Sequence, residues 1–470
     1  MPHFRPCFDP YTYTHGRWLD RDDERREARR LHFDFDALLD LAVKCSPGAQ
    51  QVTDCKKKEG GFNRVFMIYL DNGKTVVARL PTRIAGPPRL TVSSEVATLQ
   101  FVRERTNIPV PSVLSWSSET DNAVGAEYII MDALPGVQLK DVWNTMTASQ
   151  HIRCIQSHGH LSVQLWKLSF PSYGSLYLSD KSPCGAVPLD DTFSIGPLSD
   201  GDQNHGSKLL DSVEARTALL DTVQKSLKVI IETDAVKDAS GPTLFHPDFH
   251  TRNIFVNSED PTKITGIIDL QSSAIEPSFM LTAETPDFAE EVPHDESSNG
   301  EADDLSPQAK ICADAKFCAK VWAIMLHICP KSRAACELNQ LLVQFLAAGS
   351  AGWLKDAVSM RQILLELGKK WEELQLPGQS FHQPTENKAG ELKRQLDMVK
   401  TDLRLREHLA RLLGCQTDGW VSMEKWEEVL PVYRKEYHRF MDSFLEELGA
   451  DEDEAKANRE ANRLWPFDQQ

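Results

Sequence analysis

Between Leu244 and Gln271 the chain reads LFHPDFHTRNIFVNSEDPTKITGIIDLQ, and its polar residues are those that a phosphoryl-transfer centre uses on its metal side. His246-Pro247-Asp248 follows an apolar run, Asn253 comes five residues after the aspartate, and a second apolar run, Ile264 to Ile268, ends on Asp269. A transferred phosphoryl group needs positioning and charge neutralisation more than covalent help. A carboxylate at 248 suits acceptance of the proton of an incoming hydroxyl, and the oxygens of Asn253 and Asp269 suit Mg2+ held against phosphate. The plainer alternative is a turn between two buried strands, capped by Asp and Asn. Four polar residue types at set spacing, each beside a strand-like run, weigh against it. His246 and His250 are separated by Pro247 in a loop, so His246 reads as a structural residue bonding backbone near Asp269 rather than as a metal ligand.

The elements that must hold this segment can be read in order. Phe33 to Cys45 has helical spacing, with Asp34 or Asp36 as its cap. Gln51 to Lys57, Arg64 to Leu70 and Thr75 to Leu80 read as a three-stranded meander, its second turn marked by Asp71-Asn72-Gly73. The first turn, Glu59 to Arg64 (EGGFNR), places Gly60, Gly61 and Asn63 where backbone N–H groups can approach phosphate. A bare hairpin turn would look the same; the downstream motif favours the functional reading. A helix is expected over Ser93 to Glu104, an extended connector over Ile108 to Pro111, and two further strands over Val113 to Trp116 and Glu127 to Met131. Beyond Val137 the pattern turns helical, at Ser149 to Leu168 and at Asp211 to Glu232, where Val213, Leu219, Leu220, Val223, Leu227 and Ile230 point inward. Phe170 to Ser207 between them reads as a long insertion with short strands. Further helices are expected at Pro307 to Cys329, Arg333 to Ala347, Trp353 to Leu374, Lys388 to Leu413 and Met423 to Leu448. In the fourth of these, Leu392, Leu396, Val399, Leu403 and Leu409 form an apolar stripe that reads as core.

The spacing of Asp248, Asn253 and Asp269 resembles the protein-kinase pattern H-R-D-L-x-x-x-N followed by D-F-G. It is closer to the aminoglycoside-phosphotransferase and choline-kinase branch, whose loop reads H-x-D-x-x-x-x-N and whose metal aspartate lacks Phe-Gly; here the triplet is Asp269-Leu270-Gln271. Wider stretches resemble the fungal phosphotransferase-family proteins of the altered-inheritance-of-mitochondria type: DPYTYTHGRWL at 9–19, KKEGGFNRVF at 57–66, VVARLPTRIAGPPRLT at 76–91, SEVATL at 94–99, HPDFHTRNIFV at 246–256 and GIIDLQSSAIEP at 266–277. The resemblance implies an α+β, bilobal protein-kinase-like fold: an N-terminal extension (1–32), a small antiparallel-sheet N-lobe (33–134) and a large, mostly helical C-lobe (135–470). The C-lobe would carry the catalytic loop (244–271) and an acidic loop (284–304). Arg79 stands where V-A-I-K places the phosphate-binding lysine, and Glu95 is its natural partner. Arginine is permanently charged and grips phosphate with a planar fork, but its reach differs from that of an ammonium. The run YIIMDALPG, with Met131, falls where a kinase hinge presents backbone to adenine. A mitochondrial association is also implied, although no clear presequence is seen.

Composition bounds the rest. The 470 residues carry 69 acidic against 52 basic groups, a net charge of −17, which disfavours broad attraction to nucleic acid or to anionic membranes. No run is long and apolar enough to predict a membrane span, and the segment Arg21 to Arg30 is too acidic for a transit peptide, reading instead as a solvated helix of mixed charge. The ten cysteines include no C-x-x-C pair, so free thiols in a reducing intracellular compartment, mitochondrial or cytoplasmic, are expected and a structural zinc site is not. Glu284 to Asp304 holds many acids and no Lys or Arg. It reads as a flexible solvated loop or, more sharply, as an acidic rim favouring a cationic acceptor.

The sequence therefore points to an ATP- and Mg2+-dependent phosphotransferase acting on a hydroxyl of a small molecule. Asp248 would be the base, Asn253 and Asp269 the metal ligands, and Gly60, Gly61, Asn63, Arg79, Glu95 and Met131 the nucleotide side. Oligomeric state and acceptor are open. The alternatives are a non-catalytic scaffold on the same fold, since fold does not imply activity, and a tailoring enzyme that uses nucleotide for a different transfer.

Overall fold

The computed structural model describes residues 4–199, 212–283, 285–290, 307–350, 357–382, 386–448, 461–462 and 464–467. The chain opens with strand β1 (Gly16–Trp18) and helix α1 (Asp22–Ala28), then helix α2 (Phe35–Lys44), whose Asp34 cap accepts from Ala37 N. Strands β2 (Val52–Glu59), β3 (Asn63–Leu70) and β4 (Thr75–Pro81) form the expected meander. Helix α3 (Leu90–Arg105) and strands β5 (Val113–Ser117) and β6 (Tyr128–Asp132) complete an antiparallel five-stranded sheet in the order β2-β3-β4-β6-β5. Alternation along β3 buries Phe66, Ile68 and Leu70 against Leu38 and Ala42 of α2, and each such side chain contributes about 1.5–3 kcal/mol.

The same alternation buries Arg64, which is 1% exposed. Its charge is met by Glu59 at 2.9 Å, and its guanidinium donates to Pro10 O at 2.6 Å and Arg29 O at 3.2 Å. A buried cation is tolerated only with such pairing.

Helix α3 starts earlier than the expected Ser93 and is enclosed on more than one face. Its residues from Thr91 to Leu99 are all buried, because two cores enclose it. Val92 and Val96 pack with Ile129 and Met131 of the sheet, while Ala97, Leu99, Phe101 and Val102 join the main core with Phe170 and Phe193. Buried Thr98 satisfies its hydroxyl on Ser94 O at 2.8 Å.

The larger lobe begins with β7 (Val137–Gln138), α4 (Leu139–Val142) and α5 (Ala148–Trp166), which starts on a Thr147/Gln150 capping box. The insertion after it folds as a small sheet of β8 (Ser175–Leu178), β9 (Val187–Pro188) and β10 (Phe193–Gly196). Helices α6 (Val213–Ile230) and α7 (Asp234–Asp238) lead to β11 (Pro242–Phe245). In α6, Leu219, Val223 and Ile230 are buried as expected, whereas Val213 and Leu220 are exposed, because both lie off the stripe that faces the second core. Strands β12 (Ile254–Val256) and β13 (Ile264–Ile267) form a hairpin that β7 extends, and β14 (Ala274–Pro277) pairs with β11.

Helices α8 (Pro307–Leu326), α9 (Pro330–Glu337), α10 (Gln340–Ser350), α11 (Ala357–Lys370), α12 (Glu386–Leu413) and α13 (Trp426–Leu448) fill the remainder, with β15 (Trp420–Ser422) between the last two. The single helix expected over Arg333 to Ala347 is two, because Leu338 is extended and the Asn339 side chain accepts from Leu341 N at 2.9 Å, opening a new helix. Leu403, expected in the α12 stripe, is 51% exposed; Leu405 packs instead with Leu409 and Leu413. Cys7, Cys45, Cys55, Cys154, Cys184, Cys318, Cys329, Cys336 and Cys415 are free thiols, and among the described residues no helix is long and apolar enough to cross a membrane. Of the acidic stretch, residues 284 and 291–304 lie outside the described residues.

The first residues are tied in at both ends. Strand β1 pairs antiparallel with β15, Trp18 opposite Trp420, and Arg25 bridges Asp20 and Asp418. Helix α1 is thus docked rather than merely solvated. On the other side Glu59 Oε2 accepts from Thr14 N at 2.8 Å, Lys57 donates to Asp9 O at 2.7 Å, and Arg29 Nε donates to Gly61 O at 3.1 Å. The conspicuous 9–19 motif therefore straps the β2–β3 hairpin.

Candidate active site

Strand β11 carries His246 to the start of the loop and the β12–β13 hairpin carries Asn253 and Asp269 back beside it. Ile254 lies opposite Ile267, and Ile268 N donates to Asn253 O at 3.0 Å. Asn253 donates through Nδ2 to Asp248 Oδ2 at 2.8 Å and to Asp248 O at 2.9 Å, keeping its carbonyl oxygen as a potential ligand atom. Arg252 pairs with the other Asp248 oxygen. Asp248 is thus held from two sides, its carboxylate oriented by neighbours one helical turn along a short 3-10 segment, Thr251–Asn253.

His246 serves as expected. Its Nδ1 accepts from Asp248 N at 3.2 Å and its Nε2 donates to Ile268 O at 3.1 Å, which ties the two halves of the loop together and makes the ring neutral. Burial holds its titration below the ordinary imidazole value. Phe249 stacks on His246, 4.7 Å between centroids, and rests in turn on His158 of α5 at 4.0 Å. His158 packs further against Phe288 and Trp322, with neither ring nitrogen bonded, and burial pushes its titration down to about 3. The loop's floor is therefore aromatic and uncharged.

Asp269 stands at φ 64, a left-handed backbone that non-glycine residues seldom adopt, though aspartate more readily than most. Its Oδ1 meets Arg79 Nη1 at 2.9 Å, and Arg79 also pairs with Glu95 of α3. The structure therefore brings Arg79, Glu95 and Asp269 into one cluster spanning the two lobes. Gln271 completes it: its Oε1 accepts from Arg79 Nη2 at 2.9 Å and Asn63 Nδ2 at 2.7 Å, while its Nε2 donates to Ala85 O at 2.8 Å. Sequence reasoning passed over this hub; the signal was its place in the triplet after Asp269, where the kinase pattern has glycine. It also passed over Asp287, which accepts from Thr251 N at 2.9 Å and Thr251 Oγ1 at 2.6 Å and so anchors the loop from the acidic stretch.

Gly60 and Gly61 have negative or extended φ, and an added Cβ would meet nothing nearer than Asn63 O at 3.8 Å. Neither conformation nor crowding inside the protein demands glycine there. Met131 is buried in the small core that α3 shares with the sheet, with Val77, Val92, Val96 and Ile129. A cleft of about 410 Å³ at the hinge is lined by Thr75, Pro111, Ser112, Asp132, Ala133 and Pro135 among others, and is separate from the Asp248 and Asp269 carboxylates.

Burial raises the Glu95 carboxyl from 4.5 to about 7, with Arg79 opposing the rise and Asp269 adding to it. The folded value lies above the unfolded one, so the folded chain binds that proton more tightly between them. The contribution to stability is then present below 4.5 and lost as pH rises through about 7. Glu95→Gln removes the dependence. Between about pH 5 and about pH 8 the wild-type chain is expected to lose up to about 3 kcal/mol relative to Glu95→Gln, read as a pH-dependent difference in Tm.

The chain is similar to several known proteins. Residues 58–278 match the phosphotransferase enzyme family. A subtelomeric hrmA-associated cluster protein of Aspergillus fumigatus is 39% identical over 154 residues, 33% of this chain and 30% of that protein. Altered inheritance of mitochondria protein 9 of Yarrowia lipolytica is 29% identical over 189 residues, 36% of this chain and 32% of that protein. The match thus spans about a third of the length of these relatives. Among solved structures, ADP-bound aminoglycoside phosphotransferase APH(2'')-Ib aligns with 70% of this chain and 97% of its own at a TM-score of 0.37 and 13% identity. The segment from residue 58 to residue 278, with the hairpin strapped by Glu59, the Arg79–Glu95–Asp269 cluster and the Asp248 loop, is the part of the chain that is similar to the phosphotransferase enzyme family.

Proposed function

We propose that this chain is an ATP- and Mg2+-dependent phosphotransferase acting on a hydroxyl of a small molecule. The observation that carries the reading is the Arg79–Asp269 contact, which joins the phosphate side of the N-lobe to the metal side of the loop that holds Asp248. Asn253 and Asp269 offer oxygen donors without sulfur or imidazole, a set that suits Mg2+. When bound, Mg2+ neutralises charge on the phosphate oxygens. Asp248 takes the proton of the acceptor hydroxyl as its oxygen bonds to the γ-phosphorus and the bond to the bridging oxygen of ATP breaks, releasing ADP. Arg79, oriented by Glu95 and Gln271, supplies fixed positive charge to the phosphates. Gly60 and Gly61 leave room for backbone to approach them, which is what an otherwise undemanded pair of glycines supports.

A second reading rests on the same contact. If Arg79 stays on Asp269, the metal carboxylate is neutralised from within and the fold serves as a non-catalytic scaffold. MgATP separates the two. At 100-fold excess over its dissociation constant, a ligand that binds only the folded chain stabilises it by about 2.7 kcal/mol. A rise in Tm is expected with MgATP; its absence up to millimolar nucleotide would favour the scaffold. The yeast relatives carry the word mitochondrial in their names, which supports mitochondrial residence, to be tested by imaging a tagged chain.

A further inference from the structure

Away from the catalytic loop, the seam between α5 and α8 brings together three donors of different chemistry. His151 Nδ1, an Asp314 carboxylate oxygen and Cys318 Sγ all lie within 4.8 Å of one another. Asp314 and Cys318 are four residues apart, so one face of α8 presents both, and His151 faces them from α5. The helices approach closely here: a Cβ on Gly159 of α5 would lie 2.6 Å from Met325 of α8.

The hydrogen-bond pattern of His151 is the decisive detail. Its Nε2 is 2.8 Å from Trp143 O, and a carbonyl only accepts, so Nε2 carries the hydrogen. In the neutral ring Nδ1 is then a bare lone pair, yet it faces Asp314 Oδ2, a second acceptor. Two acceptors in contact need a cation between them, either a proton or a metal ion. A buried thiol as third donor favours the metal, because nitrogen, oxygen and sulfur together are a zinc-type set. Asp314 Oδ1 is buried with no hydrogen-bond partner. Trp143 holds the His151 ring twice, through its carbonyl and by stacking at 4.0 Å, as an outer-shell partner of a ligating histidine does. Cys154, three residues along α5 from His151, is 1% exposed and lies in the same buried core as Cys318.

We propose that His151, Asp314 and Cys318 form a structural site for a zinc-type divalent cation that staples α5 to α8. Donor atoms around tetrahedral zinc lie about 3.3–3.8 Å apart, so the contacting His151–Asp314 pair must open and Cys318 Sγ close in for the three to share an ion. The staple sits beneath the catalytic loop, since α5 and α8 carry His158 and Trp322 of its floor. The sequence offered no C-x-x-C pair to suggest it because the ligands come from two helices more than 160 residues apart.

The test uses the full chain, purified without a metal-affinity step. Elemental analysis is expected to find about one zinc per chain. After dialysis against a chelator, added Zn2+ should raise Tm where Mg2+ does not, and Co2+ should give tetrahedral d–d bands with a thiolate charge-transfer band. Cys318→Ser should lose the charge-transfer intensity and His151→Gln should weaken binding at least about tenfold, on the scale of losing one ligand. Exposed Cys184→Ser is the control and should change nothing. If the chelator-treated wild-type chain shows neither a Zn2+-dependent Tm rise nor a Co2+ spectrum, or if Cys318→Ser keeps the full band, the proposal is overturned and the seam holds an imidazolium–carboxylate pair. The wild-type measurements decide the matter even if a variant fails to fold, and none of them depends on phosphotransferase activity.

Discussion

Asp269→Asn is expected to reduce MgATP-dependent turnover by at least about 10²–10³-fold, the scale of removing one preorganised electrostatic partner from a charge-developing centre. Asparagine is the substitution of choice because it tolerates the left-handed φ of 64 at this position, where alanine would add backbone strain. It keeps the shape and removes the charge. Arg79, which contacts Asp269 Oδ1 at 2.9 Å, would retain Glu95 and Gln271, so the cluster should hold while its metal carboxylate is lost. The measurement is ADP release against Mg2+ concentration. Turnover in the variant that still saturates with Mg2+ at the wild-type level would contradict the assignment of Asp269 as a ligand.

Asp248→Asn should separate chemistry from binding. General-base catalysis by a positioned carboxylate contributes about 10²–10⁴-fold, and kcat should fall by that order. Under the proposed function Arg79 and the β2–β3 hairpin recognise the nucleotide, so the MgATP-induced rise in Tm should persist. The interactions that orient Asp248, from Asn253 Nδ2 at 2.8 Å and from Arg252, can be made to the amide oxygen, which protects the fold. A variant that lost the nucleotide shift together with turnover would show that Asp248 acts in binding.

Much of this site was legible because it is local. Asp248 to Asn253 and the run ending at Asp269 lie on one hairpin, and spacing along a hairpin dictates neighbourhood. The β2–β3–β4 meander was legible for the same reason, through Asp71-Asn72-Gly73. What escaped is non-local. Periodicity reports that an element has an apolar face but not what covers the others, so the two cores that enclose α3 were not legible. No local pattern announces that β1 pairs with β15, some 400 residues away, or that Asp287 reaches back to Thr251. Gln271 carries its role in three hydrogen bonds to residues from three other segments, and its own neighbourhood in sequence is unremarkable. The break before α10 was readable in principle, since Asn339 is an N-cap residue; the apolar run around it masked the signal.

The central claim is that Asp248 deprotonates an acceptor hydroxyl while the γ-phosphoryl group of ATP is transferred to it. The most direct measurement incubates the wild-type chain and Asp248→Asn with γ-labelled ATP, Mg2+ and a fractionated metabolite extract, and follows both label and nucleotide product. The account predicts ADP together with label on an organic acceptor in the wild-type reaction and neither in the variant. Release of AMP, or label transfer that proceeds equally well in Asp248→Asn, would contradict it.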